Sequence, residues 1–256
     1  MKRSIMQNNS TGRLRLWAVA FWLALWQVLA MAVSQEILLA SPLNVLKSLL
    51  ALAVTPDFWA ALGFSLLRIG GGFLIGCLSG AALAGLSGRF KVIRELVAPF
   101  TALVRAIPVA SFVIVALIWV PSRNLALLIS ALIVWPVVYS NVLAGIDAAD
   151  PALNEMADVF RLSPLKRILL VLIPQIMPYF RAAVVTGMGL AWKSGVAAEV
   201  IGIPDGSIGE RLYRAKIYLM TPELFAWTVA LVALSIACEK LMLRLMDAAI
   251  DRIGRV

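Results

Sequence analysis

Histidine is absent from this chain of 256 residues, and only two cysteines, Cys77 and Cys238, are present. The cysteines lie far apart inside apolar runs, so we interpret both as small buried residues and not as a disulfide or a metal pair. Without a Cys/His cluster or a Ser/His/Asp set, the sequence predicts neither a metal site nor a catalytic triad. It also lacks the GxxxxGK[ST] loop that binds nucleotide phosphates, so we expect no ATP or other cofactor site of that kind in this chain.

Charged residues are scarce as well, at 14% of the chain against 62% apolar residues, and the mean hydropathy is +0.93. A soluble domain has about 25% charged residues and about 45–50% apolar ones, so this composition predicts an all-α protein that crosses a membrane several times. The net charge is +9. In a membrane protein this excess is explained by basic cytoplasmic loops and anionic lipid, and not by nucleic acid.

Six apolar stretches are long enough to be transmembrane helices. The first could be a signal peptide, since Ala30-Met31-Ala32 resembles a cleavage site, but we interpret it as a span. Span 2 contains two overlapping GxxxG patterns, at positions 72, 76 and 80, which favour close helix packing. Span 3 contains Pro99 and Pro108, which should kink or break it. The predicted spans are residues 16–33, 65–86, 96–120, 125–146, 182–203 and 225–245.

The stretch 37–54 is ambiguous because it is apolar but interrupted by polar residues. Ser41 and Pro42 are typical of a helix start, and leucines follow along one helix face. We predict a short helix on the outer membrane surface. If this stretch crossed the membrane instead, every later loop would change sides.

Basic residues are distributed unevenly over the predicted loops. Most of them belong to residues 1–15, 88–95 and 147–181 and to the C-terminal tail, all on one side of the predicted membrane. The positive-inside rule therefore places both termini and the polar stretch 150–178 in the cytoplasm.

The polar stretch 150–178, hereafter the 150–178 segment, separates spans 4 and 5 and reads DPALNEMADVFRLSPLKRILLVLIPQIMP. Asp150-Pro151 and Ser163-Pro164 each combine a capping side chain with a proline that suits the first helical turn. We predict two short helices joined near Arg161–Leu162. Such a hairpin outside the bilayer suits docking to another protein.

Glu155-Met156-Ala157, Arg161 and Ile173-Pro174 resemble the EAA loop of permease subunits of ATP-binding-cassette importers, at the spacing of that family. The family has Ala where Met156 stands and Gly where Arg161 stands. Glycine suits a left-handed turn that Arg disfavours, so either the turn is built differently or capping by Ser163 compensates. The resemblance implies that the residues coupled to the ATPase are Glu155, Met156, Ala157, Arg161, Ser163, Pro164 and Pro174.

Further stretches are similar to the nitrate/sulfonate/taurine class of these permeases. They are Ser65-Leu66-x-Arg68 with Gly72-Phe73, Arg105-x-x-Pro108, Trp192 with Ala198-Glu199, and Ser207-Ile208-Gly209. The resemblance implies a type I importer permease in the bacterial cytoplasmic membrane, with a cytoplasmic segment 1–15 and one transmembrane domain, 16–256. The implied partners are a second copy of the chain, two cytoplasmic ATPase subunits that bind ATP and Mg, an extracytoplasmic substrate-binding protein and membrane lipid.

Charges and breaks within spans are candidates for the translocation path, because charges are costly there and a broken helix can line a path. Other roles stay open: snorkelling or an ion pair for Arg68 and Arg105, and pairing between helices for Lys193. Lys193 and Glu199 lie six residues apart, about 240° around one helix, so they do not face each other. The candidate path residues are Arg105, Pro108, Lys193 and Glu199.

The predicted function is that of a permease subunit of an ATP-driven importer, which catalyses no covalent reaction itself. The resemblance implies a small anion as substrate, such as nitrate, a sulfonate or taurine, although related importers also carry vitamin precursors. An ATP-independent secondary transporter or channel is the alternative, but we see no repeat between the halves of the chain. A membrane-embedded enzyme is disfavoured, because a convergent acid/base set is missing.

Overall fold

Helices joined by short connections form the described part of the chain, residues 16–253 of the computed structural model. The all-helical prediction is confirmed there, whereas the predicted cytoplasmic segment 1–15 lies outside the described residues. The helices are α1 (Leu16–Val33), α2 (Pro42–Ala53), α3 (Pro56–Arg89), α4 (Lys91–Ala106), α5 (Val109–Ala116), α6 (Ser122–Asp147), α7 (Pro151–Val159), α8 (Pro164–Arg167), a π-helical turn (Ile168–Leu172), α9 (Ile173–Gly202), α10 (Ile208–Ile217) and α11 (Thr221–Ile253).

Three helices in this part of the chain are long and apolar enough to cross a membrane: α3, α6 and the continuous helix of α8, the π turn and α9. Together, α4 and α5 provide a fourth if they are counted as one span, which is bent by 102°. α1 and α2 are shorter apolar helices, and charged residues interrupt the second half of α11. The count of six spans therefore stays a prediction.

The glycines of α3 bring this helix against the backbone of α6. A Cβ atom on Gly72 would lie 2.3 Å from the carbonyl oxygen of Leu127. On Gly76 it would lie 2.7 Å from the carbonyl oxygen of Ala131, and Gly80 repeats the contact one turn later. A side chain at these positions would push the helices apart, so the GxxxG patterns do mark a packing face, and α6 is what packs there.

The break in predicted span 3 occurs at Pro108 and not at Pro99, which lies inside α4. Ile107 has an extended backbone (φ −73°, ψ 125°), as expected of a residue that precedes proline. Pro108 then starts a second helix in a new direction. α4 begins at Lys91, five residues before the predicted start of the span.

The predicted start of α2 is confirmed, because Ser41 Oγ accepts a hydrogen bond from Asn44 N–H at 3.3 Å. After α2 ends, Pro56 begins α3, nine residues before the predicted start of span 2. The helix is longer than expected because Pro56 and Asp57 suit a helix N-terminus and the residues that follow are apolar. The position of α2 on the membrane surface stays a prediction.

The predicted hairpin of two short helices is wrong in its second half. α7 is a short helix as expected, but the helix that starts at Pro164 continues through the π turn to Gly202, over 39 residues. The apolar residues after Arg167 extend the helix, and the π turn that directly precedes α9 accommodates Pro174 near its start. The 150–178 segment is thus one short helix followed by the first turns of a span.

The main core is formed by α3, α6 and α9, with Phe73, Val138 and Trp192 among its buried side chains. α1 is different, because Ala30 is the one buried residue among its described side chains. Trp26 joins α1 to its neighbours: its indole N–H donates to Ala40 O at 3.1 Å and its ring packs on Phe225.

Candidate functional site

The start of α7 is fixed both within the helix and to α9. Asp150 Oδ1 accepts from Ala152 N–H at 2.8 Å, which confirms the predicted cap. The backbone N–H of Asp150 donates to Gln175 Oε1 on α9 at 2.7 Å. α7 is therefore tied directly to the helix that continues into the membrane core.

The turn after α7 keeps the left-handed geometry even though Arg161 occupies it, with φ +47°. Leu162 N–H donates to Ala157 O and Arg161 N–H donates to Asp158 O, each at 3.0 Å, which is the Schellman arrangement. Ser163 makes no side-chain cap bond to α8 in the described structure, so neither expected compensation is present. An ion pair from Arg167 Nη1 to Asp158 Oδ1 at 2.7 Å closes the turn instead.

Three apolar side chains project from this turn: Val159 is 79% exposed, Phe160 70% and Leu165 73%. We call these three residues the turn surface. Glu155 and Arg161 are exposed on the same segment, and Met156 is 44% exposed. The remaining coupling candidates, Ser163, Pro164 and Pro174, are exposed as well. Large exposed apolar side chains next to exposed charged ones are typical of a protein interaction site.

Ala157 is one of the residues that the resemblance implies are coupled to the ATPase, but its side chain faces inward. It is 1% exposed and packs inside the chain. Its carbonyl also accepts the Schellman bond from Leu162. Ala157 therefore contributes to the packing of α7 within the chain, whereas its neighbours Glu155 and Met156 are exposed.

Arg105 and Pro108, both exposed, lie on either side of the break between α4 and α5. The Arg105 guanidinium donates to Pro136 O on α6 at 3.1 Å and to the hydroxyl of Ser140. Arg105 thus holds the broken span against α6. Arg68 is similarly engaged, since its guanidinium donates to Asn124 Oδ1 at 2.9 Å.

Lys193 is exposed on α9 and has no hydrogen-bond or ion-pair partner among the described side chains. It shares a helix face with Ala182, Thr186 and Gly189, which are four, three and four positions apart in turn. A Cβ atom on Gly189 would meet no heavy atom within 4 Å. This face of α9 is open and consists of small and polar residues.

Glu199 lies on a different side of α9 from Lys193 and is fully buried. Its Oε2 accepts from Ser65 Oγ on α3 at 2.8 Å and from Gly209 N–H on α10 at 3.1 Å. The sequence motifs contained all three residues, but no spacing along the chain indicated that they meet. In the isolated chain Glu199 is not accessible to a transported molecule.

Among residues 16–253, no three His, Cys, Asp or Glu side chains lie close enough to hold a metal ion. The candidate residues form two separate groups. One group surrounds the turn after α7. The other group lies on α4, at the break after it and on α9, and both of these helices pack on α6.

A sequence profile described as "Binding-protein-dependent transport system inner membrane component" matches residues 72–255 of the chain. The chain belongs to this family. The match includes the 150–178 segment and every candidate path residue, whereas α1, α2 and Ser65 precede it.

Relatives of this inner membrane component are named as permeases. The nitrate import permease NrtB of Synechococcus elongatus is 28% identical over 206 residues, which cover 76% of this chain and 73% of the relative. SsuC of Bacillus subtilis, a permease named for aliphatic sulfonate transport, is 26% identical over 206 residues, which cover 80% of this chain and 74% of the relative. The bicarbonate transport permease CmpB of Synechococcus elongatus is 28% identical over 56% of this chain and 52% of the relative.

The fold of this inner membrane component also matches a solved structure. A crystal structure of an amino acid ABC transporter with histidines aligns with a TM-score of 0.56 over 77% of this chain and 94% of the other, at 21% identity. At that identity the match concerns the fold alone.

Proposed function

We propose that the chain is the permease subunit of an ATP-driven importer, which forms the translocation path and couples it to cytoplasmic ATPase subunits. The observation that carries this proposal is the family match over residues 72–255. The exposed 150–178 segment, tied to α9 through Asp150 and Gln175, supports it because a partner that moves α7 would also move α9.

The ATPase contact is proposed to be the turn surface together with Glu155, Met156 and Arg161. Apolar side chains at its centre would be desolvated by the partner, and the charges around them would set orientation. ATP and Mg would be bound entirely by the two partner subunits, since hydrolysis is their reaction and not that of this chain.

The path is proposed to run along the open face of α9. Lys193 lies nine residues before the end of α9 at Gly202, which is about 14 Å at 1.5 Å per residue and close to half the depth of the hydrocarbon core. An unpaired ammonium group at that depth is costly against lipid, by about 2.5–3.5 kcal/mol, so it should face a hydrated path.

A small oxyanion is the proposed substrate class. Lys193 contributes a positive charge to the proposed path, and Arg105 contributes a second one at the broken span. Nitrate, sulfonate and bicarbonate, which the names of the relatives contain, are all anions. A vitamin precursor carried by an importer of the same class is the alternative substrate.

Lys193→Met is expected to lower uptake about tenfold or more, because the open face of α9 loses its only charge while the helix keeps its packing. Lys47→Met on α2 is the matched control, and Lys193→Arg should retain most transport. The measurement is initial uptake of labelled anion into proteoliposomes. Full uptake by Lys193→Met would make the lysine a structural residue.

The proposed assembly is a homodimer of this chain with its two-fold axis along the membrane normal, because one copy leaves the small and polar face of α9 uncovered. Six spans are proposed for each copy: α1, α3, the broken α4–α5 pair, α6, α9 and α11. Both termini and the 150–178 segment would lie in the cytoplasm.

The dimer is expected to be the state that purifies with two ATPase subunits. Mass measurement of the intact detergent complex counts the copies. A complex with a single permease copy would contradict the proposed path between two α9 faces.

The function is tested by reconstituting the chain with its ATPase subunits and binding protein and measuring uptake. Uptake should require ATP inside and substrate-loaded binding protein outside. Uptake that persists without either component, driven by an ion gradient, would favour the alternative of a secondary transporter.

A further inference from the structure

The N-terminus of α10 is held by side chains from two other helices. Ser65 Oγ on α3 accepts from Ile208 N–H at 3.0 Å and donates to Glu199 Oε2, which also accepts from Gly209 N–H. Ser65 and Glu199 are both fully buried. Two backbone donors that a helix start leaves free are thus satisfied by α3 and α9, in addition to the local cap that Ser207 provides for Glu210 N–H.

The contact between α10 and α9 is also tight. A Cβ atom on Gly209 would lie 2.3 Å from Glu199 Cβ and 2.6 Å from the Glu199 carbonyl carbon. The turn before α10 is closed by a bond from Gly206 N–H to Glu210 Oε2 at 2.6 Å, and Gly206 has φ +79°. Neither sliding nor tilting of α10 against α9 is possible without breaking these contacts.

A buried carboxylate makes this junction more than an ordinary helix cap. Negative charge is favoured at the N-terminus of a helix. If α10 moved away, the Glu199 carboxylate would lose a donor in a site from which water is excluded, which is strongly unfavourable. α10 should therefore move together with α3 at Ser65 and with the end of α9.

The C-terminal end of α10 is available to a partner. Arg214 and Lys216 are exposed in its last turn, and Tyr218, 71% exposed, and Leu219, 62% exposed, follow it. Leu219 has φ +55°, a conformation unusual for leucine, and its side chain is nevertheless exposed. This surface lies at the opposite end of α9 from the 150–178 segment, which is the end that a substrate-binding protein would reach.

We propose that Ser65 and Glu199 are positioning residues that fix α10 rigidly to α3 and α9. When the substrate-loaded binding protein docks on α10, these two spans move with it. The inference rests on the proposed importer function. It assigns Ser65, Glu199 and α10 to the coupling between the binding protein and the spans on the extracytoplasmic side. It also gives a reason why the sequence motifs that contain Ser65, Glu199 and Gly209 meet at one point.

Ser65→Ala is the test, in the complete transporter with ATPase subunits and binding protein in proteoliposomes. Stimulation of ATP hydrolysis by loaded binding protein should fall about fivefold or more, with basal hydrolysis within about twofold of the unmodified complex. The hydrogen-exchange rate of the first amides of α10 should rise about tenfold or more, because they lose the hydrogen bond to Ser65 that protects them.

Ser79→Ala is the matched control on the same helix. The Ser79 hydroxyl bonds to carbonyls of its own helix, at Ile75 and Gly76, so its loss should change neither stimulation nor exchange of α10. If Ser65→Ala lowers the melting temperature of the complex by more than a few degrees, Glu199→Gln is used in its place. Its amide oxygen can still accept from Ser65 and Gly209, but its NH2 group would replace Oε1, which is buried without a hydrogen-bond partner. Stimulation should therefore fall in this variant as well, and full stimulation would overturn the proposal.

Faster exchange of α10 with full stimulation would make the junction purely structural and overturn the proposal. Unchanged exchange and unchanged stimulation would overturn it as well. If the unmodified complex itself is not stimulated by loaded binding protein, the importer function is wrong, and that result is distinct from full stimulation in the Ser65→Ala complex.

Discussion

Phe160→Asp is expected to lower ATP-driven uptake about 30-fold or more, because an aromatic anchor at an interface typically contributes at least about 2 kcal/mol. The chain should still insert and fold, since Phe160 is 70% exposed at the end of α7 and contributes little to packing. A carboxylate at this position would place a charge in the proposed ATPase pocket. The measurements are uptake by proteoliposomes and the amount of ATPase subunit that purifies with the chain.

Two further variants separate shape from charge at the same surface. Phe160→Leu keeps an apolar side chain and should retain most ATPase binding, whereas Glu155→Lys reverses an exposed charge and should weaken it. Glu155→Asp is the control for the charge. If Phe160→Asp and Glu155→Lys both keep full ATPase binding and uptake, the 150–178 segment is not the coupling element.

Ala157→Leu should behave differently, because its side chain is buried within the chain. Overpacking at this point is expected to destabilise the junction of α7 and the π turn, by about 1–3 kcal/mol. Its defect should therefore appear as lower thermal stability, whereas the Phe160→Asp variant should keep the stability of the unmodified chain.

Gly72→Ala is expected to destabilise the fold by about 3 kcal/mol or more, the upper end of the effect of overpacking. The added Cβ would lie 2.3 Å from Leu127 O and 2.9 Å from Ser130 Cβ, and backbone atoms cannot move aside. α3 and α6 would have to separate along their whole contact. The measurements are the melting temperature in detergent and the fraction of monodisperse protein.

Gly85→Ala is the matched control, because it is the same change in the same helix. A Cβ atom on Gly85 would meet no heavy atom within 4 Å, and Ala has the higher helix propensity, by about 1 kcal/mol. Gly85→Ala should therefore leave stability unchanged or raise it. Equal melting temperatures for the two variants would contradict the close contact of α3 with α6.

Several elements could be predicted because their causes are local in the chain. Ser41 and Asp150 both cap helices as expected, since an N-cap bond involves residues only two or three positions apart. The broken span at Pro108 follows from the missing N–H and fixed φ of proline. The glycine spacing of α3 indicated a packing face, although not the helix that packs on it.

The second short helix of the predicted hairpin is wrong, because a local start signal does not set where a helix ends. Ser163-Pro164 has the composition of a helix start, and a helix does start there, but no stop signal follows it. The helix therefore continues through the π turn into α9, and the expected hairpin has one short helix. At Arg161 the local signal for a left-handed turn, a glycine, is missing, and the left-handed turn is nevertheless present.

Taken alone, the sequence determined that this protein is helical and belongs in a membrane, where α2, α7 and α8 begin, and which permease family it resembles. These properties follow from composition, from periodicity and from bonds between near neighbours. Only the tertiary structure decided that Ala157 faces inward, that Lys193 is open while Glu199 is buried, and that Ser65, Glu199 and Gly209 meet. The direction of a side chain depends on how its helix is rotated against its neighbours, and Ser65 lies 134 residues from Glu199 along the chain. Packing between distant helices sets that rotation, and no local pattern in the chain encodes it.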